Sequence, residues 1–380
     1  MMLQFSSSRH YQICNRCLMD TSDPEISFDK DGNCNHCNRY FVRVAEEVRL
    51  GPDAKLALEA LVKRIAREGK GKDYDCIAGV SGGVDSTFVI YKLKQLGLRP
   101  LAVHFDNGWN SELAVANIKN ALDRLKIDLH TDVVDWEEFR DLQLSFLKAS
   151  VPNCEIPTDH AITATLVKTA RRNGIRYVIN GSNVVTEGIL PISWVYYSHD
   201  LHHIRAVHRR FGRIPLKTFP QLSLASFSTR ILSGSYRMVN LLNYLEYDKA
   251  KAVETMKREL NWQYYGGKHY ESIYTRWYQG YYLPTKFGFD KRRAHLSALV
   301  CAGQVSREQG IAELTRNPYA DNDLEGDMDF VVKKFGLDRA QLQQLIASPN
   351  KKHTDYPNRN DFIEGLSGLR GYLRKRAKSV

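Results

Sequence analysis

Apolar runs alternate with amphipathic stretches through the middle of the chain. Short apolar runs predict strands at about 74–80, 100–105, 129–134 and 176–180, and helical spacing predicts helices at about 85–96, 111–125, 136–148 and 158–173. Short buried strands that alternate with helices are typical of a parallel, doubly wound α/β sheet. Beyond about Arg230 the strand pattern fades and helical periodicity dominates, which predicts a mainly helical C-terminal domain.

The chain of 380 residues is long enough for two or three domains. We expect a cysteine-bearing ribbon at 1–50, a helical linker at 51–72, the sheet domain at 73–245 and a helical substrate-binding domain at 246–380 that closes over it. No run approaches the roughly 18 apolar residues of a membrane helix. The first residues also lack the apolar segment of an export signal. We therefore expect a cytoplasmic protein with no membrane partner.

Positive charge is in excess and is concentrated in one segment. Lys and Arg number 54 against 43 Asp and Glu, a net charge of +11. Residues 201–245 contain no acid but seven Lys or Arg, including Arg209 and Arg210. Such a segment attracts anions, although the sign alone does not choose among them. It binds either an anionic substrate or an acidic protein partner, unless it is simply a solvated basic face.

Four of the seven cysteines form two pairs, Cys14 with Cys17 and Cys34 with Cys37, separated by sixteen residues. This spacing is typical of a zinc site with four thiolate ligands. Four thiolates leave no open coordination position, so we expect the zinc to be structural. His36 lies within the second pair and is a weaker alternative ligand. The other three cysteines are interpreted as ordinary small residues.

A short glycine- and serine-rich segment, Ser81-Gly82-Gly83-Val84-Asp85-Ser86, lies between the first strand and the next helix. Backbone N–H groups, hydroxyls and a helix N-terminus together bind anions. The segment lacks the lysine of a Walker A loop and the GxGxxG pattern of dinucleotide-binding folds. A phosphate bound here needs another source of positive charge, and Mg²⁺ held partly by Asp85 would provide it.

After this strand, SGGVDS resembles the PP-loop of ATP pyrophosphatases, which have the adenine nucleotide alpha-hydrolase-like fold. Several further segments, together with the cysteine pairs, resemble the N-acetyl sugar amidotransferase family of surface-polysaccharide biosynthesis from Cys14 to about Leu314. These segments are VHFDNGWNSELA, CEIPTDHAITA, GSNVVTEG, YGGKHYES, YTRWYQGYYLPTKFGFDKRRAHLS and GQVSREQ.

The resemblance implies a reaction of ATP with a nucleotide-activated N-acetyl sugar, for lipopolysaccharide O-antigen or another surface glycan. ATP adenylates the N-acetyl carbonyl oxygen and releases pyrophosphate. Ammonia then displaces AMP and leaves an acetamidino group. The implied cofactors are ATP, Mg²⁺ and structural Zn²⁺.

Site residues are expected where parallel strands end, because ligands bind at the carboxyl edge of such sheets. Asp85 and Glu187 are the predicted Mg²⁺ ligands, although Glu187 could instead be an ordinary charge at a helix N-terminus. Asp85, Lys268 and Lys286 are the predicted catalytic residues, the two lysines on the α-phosphate. The predicted ATP-binding residues are Ser81, Gly82, Gly83, Asp85, Ser86, His104, Phe105, Asp106, Gly181, Ser182 and Asn183. The predicted substrate-binding residues are Asp159, His160, Arg209, Arg210, His269, Tyr270, Arg276 and Arg292, with helix capping as the alternative for Asp159.

Eleven aromatic residues lie within 262–289. We interpret them as a wall that stacks on the sugar or base, with an ordinary helical core as the alternative. No cysteine has the setting of a glutaminase nucleophile. The resemblance accordingly implies ammonia from a separate glutaminase–synthase pair similar to that of histidine biosynthesis.

Two other functions remain as alternatives. A PP-loop tRNA thiolase also joins such a loop to cysteine pairs and would suit the positive charge, but it needs spare reactive cysteines. A non-catalytic zinc-ribbon protein that binds nucleic acid would leave SGGVDS unexplained. We therefore expect no nucleic-acid partner.

Overall fold

The centre of the protein is a five-stranded sheet, seen here in a computed structural model that describes residues 10–49, 51–226, 228, 234–267, 270–319, 323–363 and 365. All its neighbouring strands pair in parallel, in the order β3-β2-β1-β4-β5. The strands are β1 (Cys76–Gly79), β2 (Pro100–Asp106), β3 (Leu129–Val133), β4 (Tyr177–Asn180) and β5 (Arg237–Asn240).

Helices cover both faces of this sheet. On one face α3 contacts β1, β2 and α4, and α9 packs on both helices; on the other, α6 contacts β1, β2 and β4, and α5 packs on α8. With bounds within the described residues, the helices up to the end of the sheet domain and just beyond it are α1 (Asn35–Glu47), α2 (Pro52–Glu68), α3 (Val84–Gln95), α4 (Glu112–Leu125), α5 (Trp136–Ala149), α6 (Ile156–Arg172), α7 (Val184–Glu187), α8 (Leu201–Phe211) and α9 (Lys249–Leu260). The central strands are buried on both faces, which explains why β1 and β2 are continuous apolar runs.

From Ile273 onward, the described part of the chain is mainly helical. Its elements are α10 (Ile273–Trp277), a π-helical turn (Tyr278–Tyr282), α11 (Leu283–Phe287), α12 (Lys291–Cys301), α13 (Arg307–Thr315), α14 (Asp323–Phe335) and α15 (Arg339–Ala347). Short 3-10 helices occur at Ile192–Trp194, Leu241–Tyr244 and His353–Asp355. The predicted fold class, a doubly wound parallel sheet with an N-terminal ribbon and a helical C-terminal region, is confirmed.

The fading strand pattern beyond about Arg230 did not reveal β5, which pairs along its full length with β4. Met238 is 40 per cent exposed and Arg237 is also exposed, so this edge strand lacks the apolar run that marks a central strand. Only its register against β4 identifies it as part of the sheet.

The N-terminal ribbon packs against the C-terminal helices rather than standing apart. Arg307 of α13 donates to the carbonyl oxygens of Cys14 and Cys17 at 3.0 and 3.3 Å. Arg293 of α12 donates to the carbonyl of Leu18 at 2.6 Å. The ribbon and helices α12 and α13 therefore form one packed unit.

Among the described residues, no helix has the length and apolar character needed to cross a membrane.

Candidate active site

Residues 81–86, which we call the phosphate loop, lie where the strand order reverses, between the neighbouring strands β1 and β4. Gly82 has a φ of +79°, and a Cβ there would lie 2.6 Å from the carbonyl oxygen of Ala114. At the end of β4, a Cβ on Gly181 would lie 2.9 Å from the backbone nitrogen of Ser86. Both positions therefore require glycine, and the two strand ends form one closely packed cradle. In parallel sheets this is the place where ligands bind.

Hydrogen bonds within the loop hold its two serines together. The Ser81 and Ser86 hydroxyls are 3.2 Å apart, and the backbone N–H of Ser81 donates to the Ser86 hydroxyl at 3.2 Å. The N–H of Gly83 donates to the Ser81 hydroxyl at 3.3 Å. The structure thus brings predicted ATP-binding residues of the loop together with Gly181, which directly follows β4.

The predicted Mg²⁺ ligands lie around a residue that we did not predict from the sequence. The Tyr247 hydroxyl donates a hydrogen bond to the Asp85 carboxylate. Burial raises the pKa of Tyr247, and the nearby charges of Asp85 and Glu187 raise it further. Two carboxylates therefore lie near one permanently protonated hydroxyl. These oxygen ligands match the preference of Mg²⁺.

The segment after α9 covers the loop with three more side chains that were not predicted to bind ATP. The Trp262 indole N–H donates to the carbonyl of Gly82 at 2.9 Å, and the N–H of Val84 donates to the Tyr265 hydroxyl at 3.1 Å. The Ser81 hydroxyl lies 3.4 Å from a carboxylate oxygen of Glu271. No local pattern reveals these contacts, because they join positions about 180 residues apart.

At the end of β2, the side chains of His104 and Asp106 both accept a hydrogen bond from Asn110. His104 Nδ1 lies 2.8 Å from the Val80 carbonyl and therefore donates to it, which leaves Nε2 to accept from the Asn110 amide at 3.1 Å. The same amide donates to Asp106 at 3.2 Å. Phe105 instead packs against Phe139 in the core and is 8 per cent exposed, so its predicted contact with the nucleoside was wrong.

After β4, Gly181 contributes to the cradle, and Asn183 marks the start of α7. The Asn183 side chain accepts hydrogen bonds from the backbone N–H and the hydroxyl of Thr186 at 2.8 and 3.1 Å, and so caps α7. Ser182 is exposed at the same edge. Of Ser182 and Asn183, Ser182 is the residue exposed to solvent at the edge of the sheet where the phosphate loop lies.

Lys286 does not have the role that we predicted. Its ammonium donates to the carbonyl oxygens of Leu345, Ile346 and Ser348 at 3.1, 2.8 and 2.6 Å. Its three N–H donors are thereby used at the end of α15, and the side chain is 9 per cent exposed. Lys286 therefore stabilises a helix C-terminus and is not a ligand of the α-phosphate.

Three predicted substrate-binding residues are also occupied by structural contacts. Arg276 forms a bidentate ion pair with Asp327, with both N–O distances 2.6 Å. Arg292 pairs with Asp290 at 2.8 Å and also donates to backbone carbonyls. His160 is fully buried, with Nδ1 2.7 Å from the Ser198 carbonyl and Nε2 accepting from a backbone N–H. These predictions were wrong, because carboxylates and backbone groups already occupy these side chains.

The remaining predicted substrate residues are dispersed. The Tyr270 hydroxyl donates to the carbonyl of Pro318 at 2.9 Å. Asp159 and Arg209 are exposed, and the exposed Arg210 lies over the rings of Phe211 and Tyr356. Lys268 and His269 lie outside the described residues.

The acid-free segment does have acidic partners, which come from α5. The Glu138 carboxylate accepts from the backbone N–H groups of Thr218 and Phe219, and Asp141 accepts from those of Arg213 and Ile214. Both acids bind the backbone of the segment, and Asp141 also pairs with the His208 ring at 3.2 Å, but among the described residues neither forms an ion pair with a Lys or Arg of the segment. The segment is therefore anchored while its Lys and Arg charges remain uncompensated by these two carboxylates.

Most of the predicted aromatic wall is core. Trp262, Tyr274, Trp277, Tyr278 and Tyr282 are at most 2 per cent exposed. The helical-core alternative is therefore correct for these five residues. Tyr264 is different, because it is 46 per cent exposed and stacks on Tyr265 beside the phosphate loop.

The four paired cysteines form a site that fits zinc. Their sulfurs are buried and lie within 4.8 Å of one another, with separations of 3.7 Å for Cys14–Cys37 and 3.5 Å for Cys17–Cys34. Zn–S bonds of about 2.3 Å in a tetrahedron place sulfurs about 3.8 Å apart. Backbone N–H groups donate to Cys14 and Cys34, as knuckle turns require. His36 instead pairs with Asp23 at 2.5 Å, so it is not a ligand.

Comparison with protein families links the C-terminal part of the chain to surface-polysaccharide biosynthesis. Residues 271–370 match the family described as "LPS biosynthesis protein WbpG-like, C-terminal domain". This match confirms, over that part of the chain, the resemblance to a surface-polysaccharide family. A comparison with curated proteins returned no match.

Solved structures with some similarity are ammonia- and nucleotide-related synthetases. The NMN synthetase of Francisella tularensis is 13% identical, with a TM-score of 0.27, and the alignment covers 54% of this chain and 95% of that one. The NH3-dependent NAD synthetase of Campylobacter jejuni is 15% identical, with a TM-score of 0.29, covering 56% and 94%. Overlaps of this size carry no argument about activity.

Proposed function

We propose that this protein is an ATP-dependent, AMP-forming C–N ligase of lipopolysaccharide or related surface-glycan biosynthesis. Its substrate is a nucleotide-activated N-acetyl sugar, and its product carries an acetamidino group. The observation that carries the proposal is the glycine–serine loop at the strand-order reversal, with Asp85 and Glu187 grouped around Tyr247. The C-terminal match to a lipopolysaccharide-biosynthesis domain supports the biological setting.

The chemistry follows from the difficulty of the substrate. An amide carbonyl is a weak electrophile, and replacement of its oxygen by nitrogen needs a better leaving group. Attack of the amide oxygen on the α-phosphorus breaks the bond to pyrophosphate and makes an O-adenylate. Ammonia then adds to the former carbonyl carbon of the N-acetyl group. AMP leaves with the oxygen, and a proton is released. The enzyme must hold the reactants together and exclude water.

The described residues supply the binding of pyrophosphate in this scheme. We propose that backbone N–H groups at the start of α3 and the hydroxyls of Ser81 and Ser86 bind phosphate oxygens, which requires the Val84–Tyr265 and Ser81–Glu271 contacts to open. Asp85 and Glu187 would hold Mg²⁺, which offsets the phosphate charge when bound. Lys268 remains the proposed cation for the α-phosphate.

Ammonia is proposed to come from a separate glutaminase–synthase pair. Cys76 and Cys154 are both fully buried, and burial raises the pKa of each thiol, that of Cys154 to about 12. Such thiols are poor nucleophiles. The same observation argues against a tRNA thiolase, which needs reactive cysteines.

The test is mass spectrometry of nucleotide N-acetyl sugars incubated with the enzyme, Mg-ATP and ammonium. The expected product is lighter by the difference between O and NH, and AMP forms in equal amount. AMP formation without a change in any sugar would point to another acceptor. A negative result with a broad panel of N-acetyl sugars, combined with sugar-independent ATP cleavage, would contradict the proposal.

A further inference from the structure

A surface groove of about 600 Å³ lies between α5, the turn after α8 and the C-terminal helices α14 and α15. Three cationic side chains line it, Arg140, Lys148 and Arg213, and two amides, Gln341 and Gln344, face them from α15. The rest of its wall is largely apolar and includes Phe335. None of its lining residues belongs to the phosphate loop or to the cysteine cluster.

The groove has an excess of positive charge. Asp141 is its one acidic lining residue, and a single carboxylate oxygen there accepts from the backbone N–H groups of Arg213 and Ile214 and from His208 at 2.7, 2.9 and 3.2 Å. Arg140 pairs with Glu137 at 2.5 Å. Within the part of the chain that the structure describes, no carboxylate forms an ion pair with Lys148 or with the Arg213 guanidinium.

Lys148 and Arg213 are held near each other despite their like charges. Burial lowers the pKa of Lys148, the charge of Arg213 lowers it further, and Asp141 only partly opposes both effects. The backbone N–H of Arg213 donates to Asp141, which anchors the backbone from which its side chain extends at this edge of the groove. An anion bound between Lys148 and Arg213 would attract both cations and so offset their mutual repulsion.

We propose that this groove binds a phosphate-bearing ligand of nucleotide size. The cations match phosphate oxygens, and arginine does so with a planar pair of donors. The apolar wall suits a ring or a base, and the volume lies within the roughly 300–1,000 Å³ of small-molecule sites. The site is separate from the ATP loop, and the inference does not depend on the proposed reaction.

The experiment is isothermal titration of the full chain with UDP, without added ATP. The double variant Lys148→Gln/Arg213→Gln is expected to bind UDP roughly tenfold more weakly or worse, since hydrogen bonds to charged groups are the strong ones. The matched control is Lys168→Gln/Arg172→Gln on α6, which removes the same charge from exposed positions outside the groove. Its affinity for UDP should equal that of the unchanged protein.

Three results would overturn the inference. One is equal UDP affinity in the groove variant and the control. Another is loss of UDP binding in Ser81→Ala/Ser86→Ala with retention in the groove variant, which would assign UDP to the phosphate loop. The third is binding of inorganic pyrophosphate at the groove as tightly as UDP, which would remove the role of the apolar wall.

Stability separates a binding role from a structural one. Because Lys148 and Arg213 repel each other, the single variant Lys148→Gln should keep or raise the melting temperature while weakening UDP binding. A lower melting temperature with unchanged UDP binding would show that Lys148 only supports the fold, and would also overturn the inference.

Discussion

The Tyr247 hydroxyl donates a hydrogen bond to the Asp85 carboxylate and so links the end of the sheet domain to the phosphate loop. Tyr247 is 4 per cent exposed, and its pKa is raised by burial and by Asp85 and Glu187. It therefore remains a donor at every physiological pH. This hydrogen bond therefore fixes the orientation of the Asp85 carboxylate in the first turn of α3.

Tyr247→Phe should lower the rate of AMP formation and raise the Mg²⁺ concentration needed for half-maximal rate. Loss of a hydrogen-bond partner behind a metal ligand typically costs about 10–100-fold in metal affinity or activity. The measurement is AMP release against Mg²⁺ concentration. Tyr74→Phe is the matched control, because its hydroxyl also bonds a carboxylate, Asp128 at 2.8 Å, but elsewhere in the fold. An unchanged Mg²⁺ dependence in Tyr247→Phe would refute the role of this contact.

Asp85→Asn should abolish AMP formation and leave the fold intact. The amide oxygen can still accept from Tyr247, but it no longer supplies the negative charge that holds Mg²⁺. AMP release and circular dichroism together test this expectation. Near-normal AMP production with Mg²⁺ would show that Asp85 is not a metal ligand.

Metal analysis should find one tightly bound Zn²⁺ per chain in protein purified under reducing conditions. Chelation, or the double variant Cys14→Ser/Cys34→Ser, should remove zinc and unfold the ribbon, since structural zinc contributes directly to folding free energy. Cys301→Ser is the control: this thiol lies beside Cys17 but outside the four-sulfur cluster. Protein without zinc, or an intact ribbon in the double variant, would contradict the assignment.

The pH dependence of the free energy of unfolding should reveal the protonation of His160. Burial lowers its pKa from 6.5 to about 4 in the folded protein. The unfolded chain therefore binds a proton between these values, so this stabilisation is present above pH 6.5 and is lost as pH falls toward 4. The effect is at most about 3 kcal/mol. Urea unfolding at several pH values measures it.

His160→Gln provides the comparison for that experiment, because an amide can donate to the Ser198 carbonyl and accept from the Leu222 N–H without titrating. The stability of this variant should fall less between pH 6.5 and pH 4. An identical fall in both proteins would mean that His160 does not contribute. Burial also lowers the pKa of His203 and of His353. These two residues therefore add the same kind of pH-dependent stability loss to the curves of both proteins.

Arg209→Ala should raise the KM for the nucleotide sugar with saturating ammonium, if the basic segment binds substrate as we expect. Arg209 is exposed, and an arginine fork suits phosphate or carboxylate. Kinetics with ammonium and with the glutaminase pair measure this. A loss confined to glutamine-dependent turnover would assign Arg209 to the partner surface instead.

Local patterns determined the features whose chemistry is contained in a short stretch of chain. The cysteine spacing determined the four-sulfur cluster, because each knuckle places its own two thiols. Apolar runs determined the four strands that are predicted correctly, and SGGVDS determined the loop, since the φ of +79° at Gly82 favours glycine. These features depend on neighbours in sequence.

Tertiary structure alone decided which charged and aromatic groups are available to a ligand. Arg276 and Lys286 have a suitable charge, but an acid and backbone carbonyls brought in by folding already occupy them. Tyr247 and Glu271 are unremarkable in the sequence, yet they lie against the phosphate loop. The physical reason is that a side chain's charge is local, whereas its partners depend on contacts between positions that are distant along the chain.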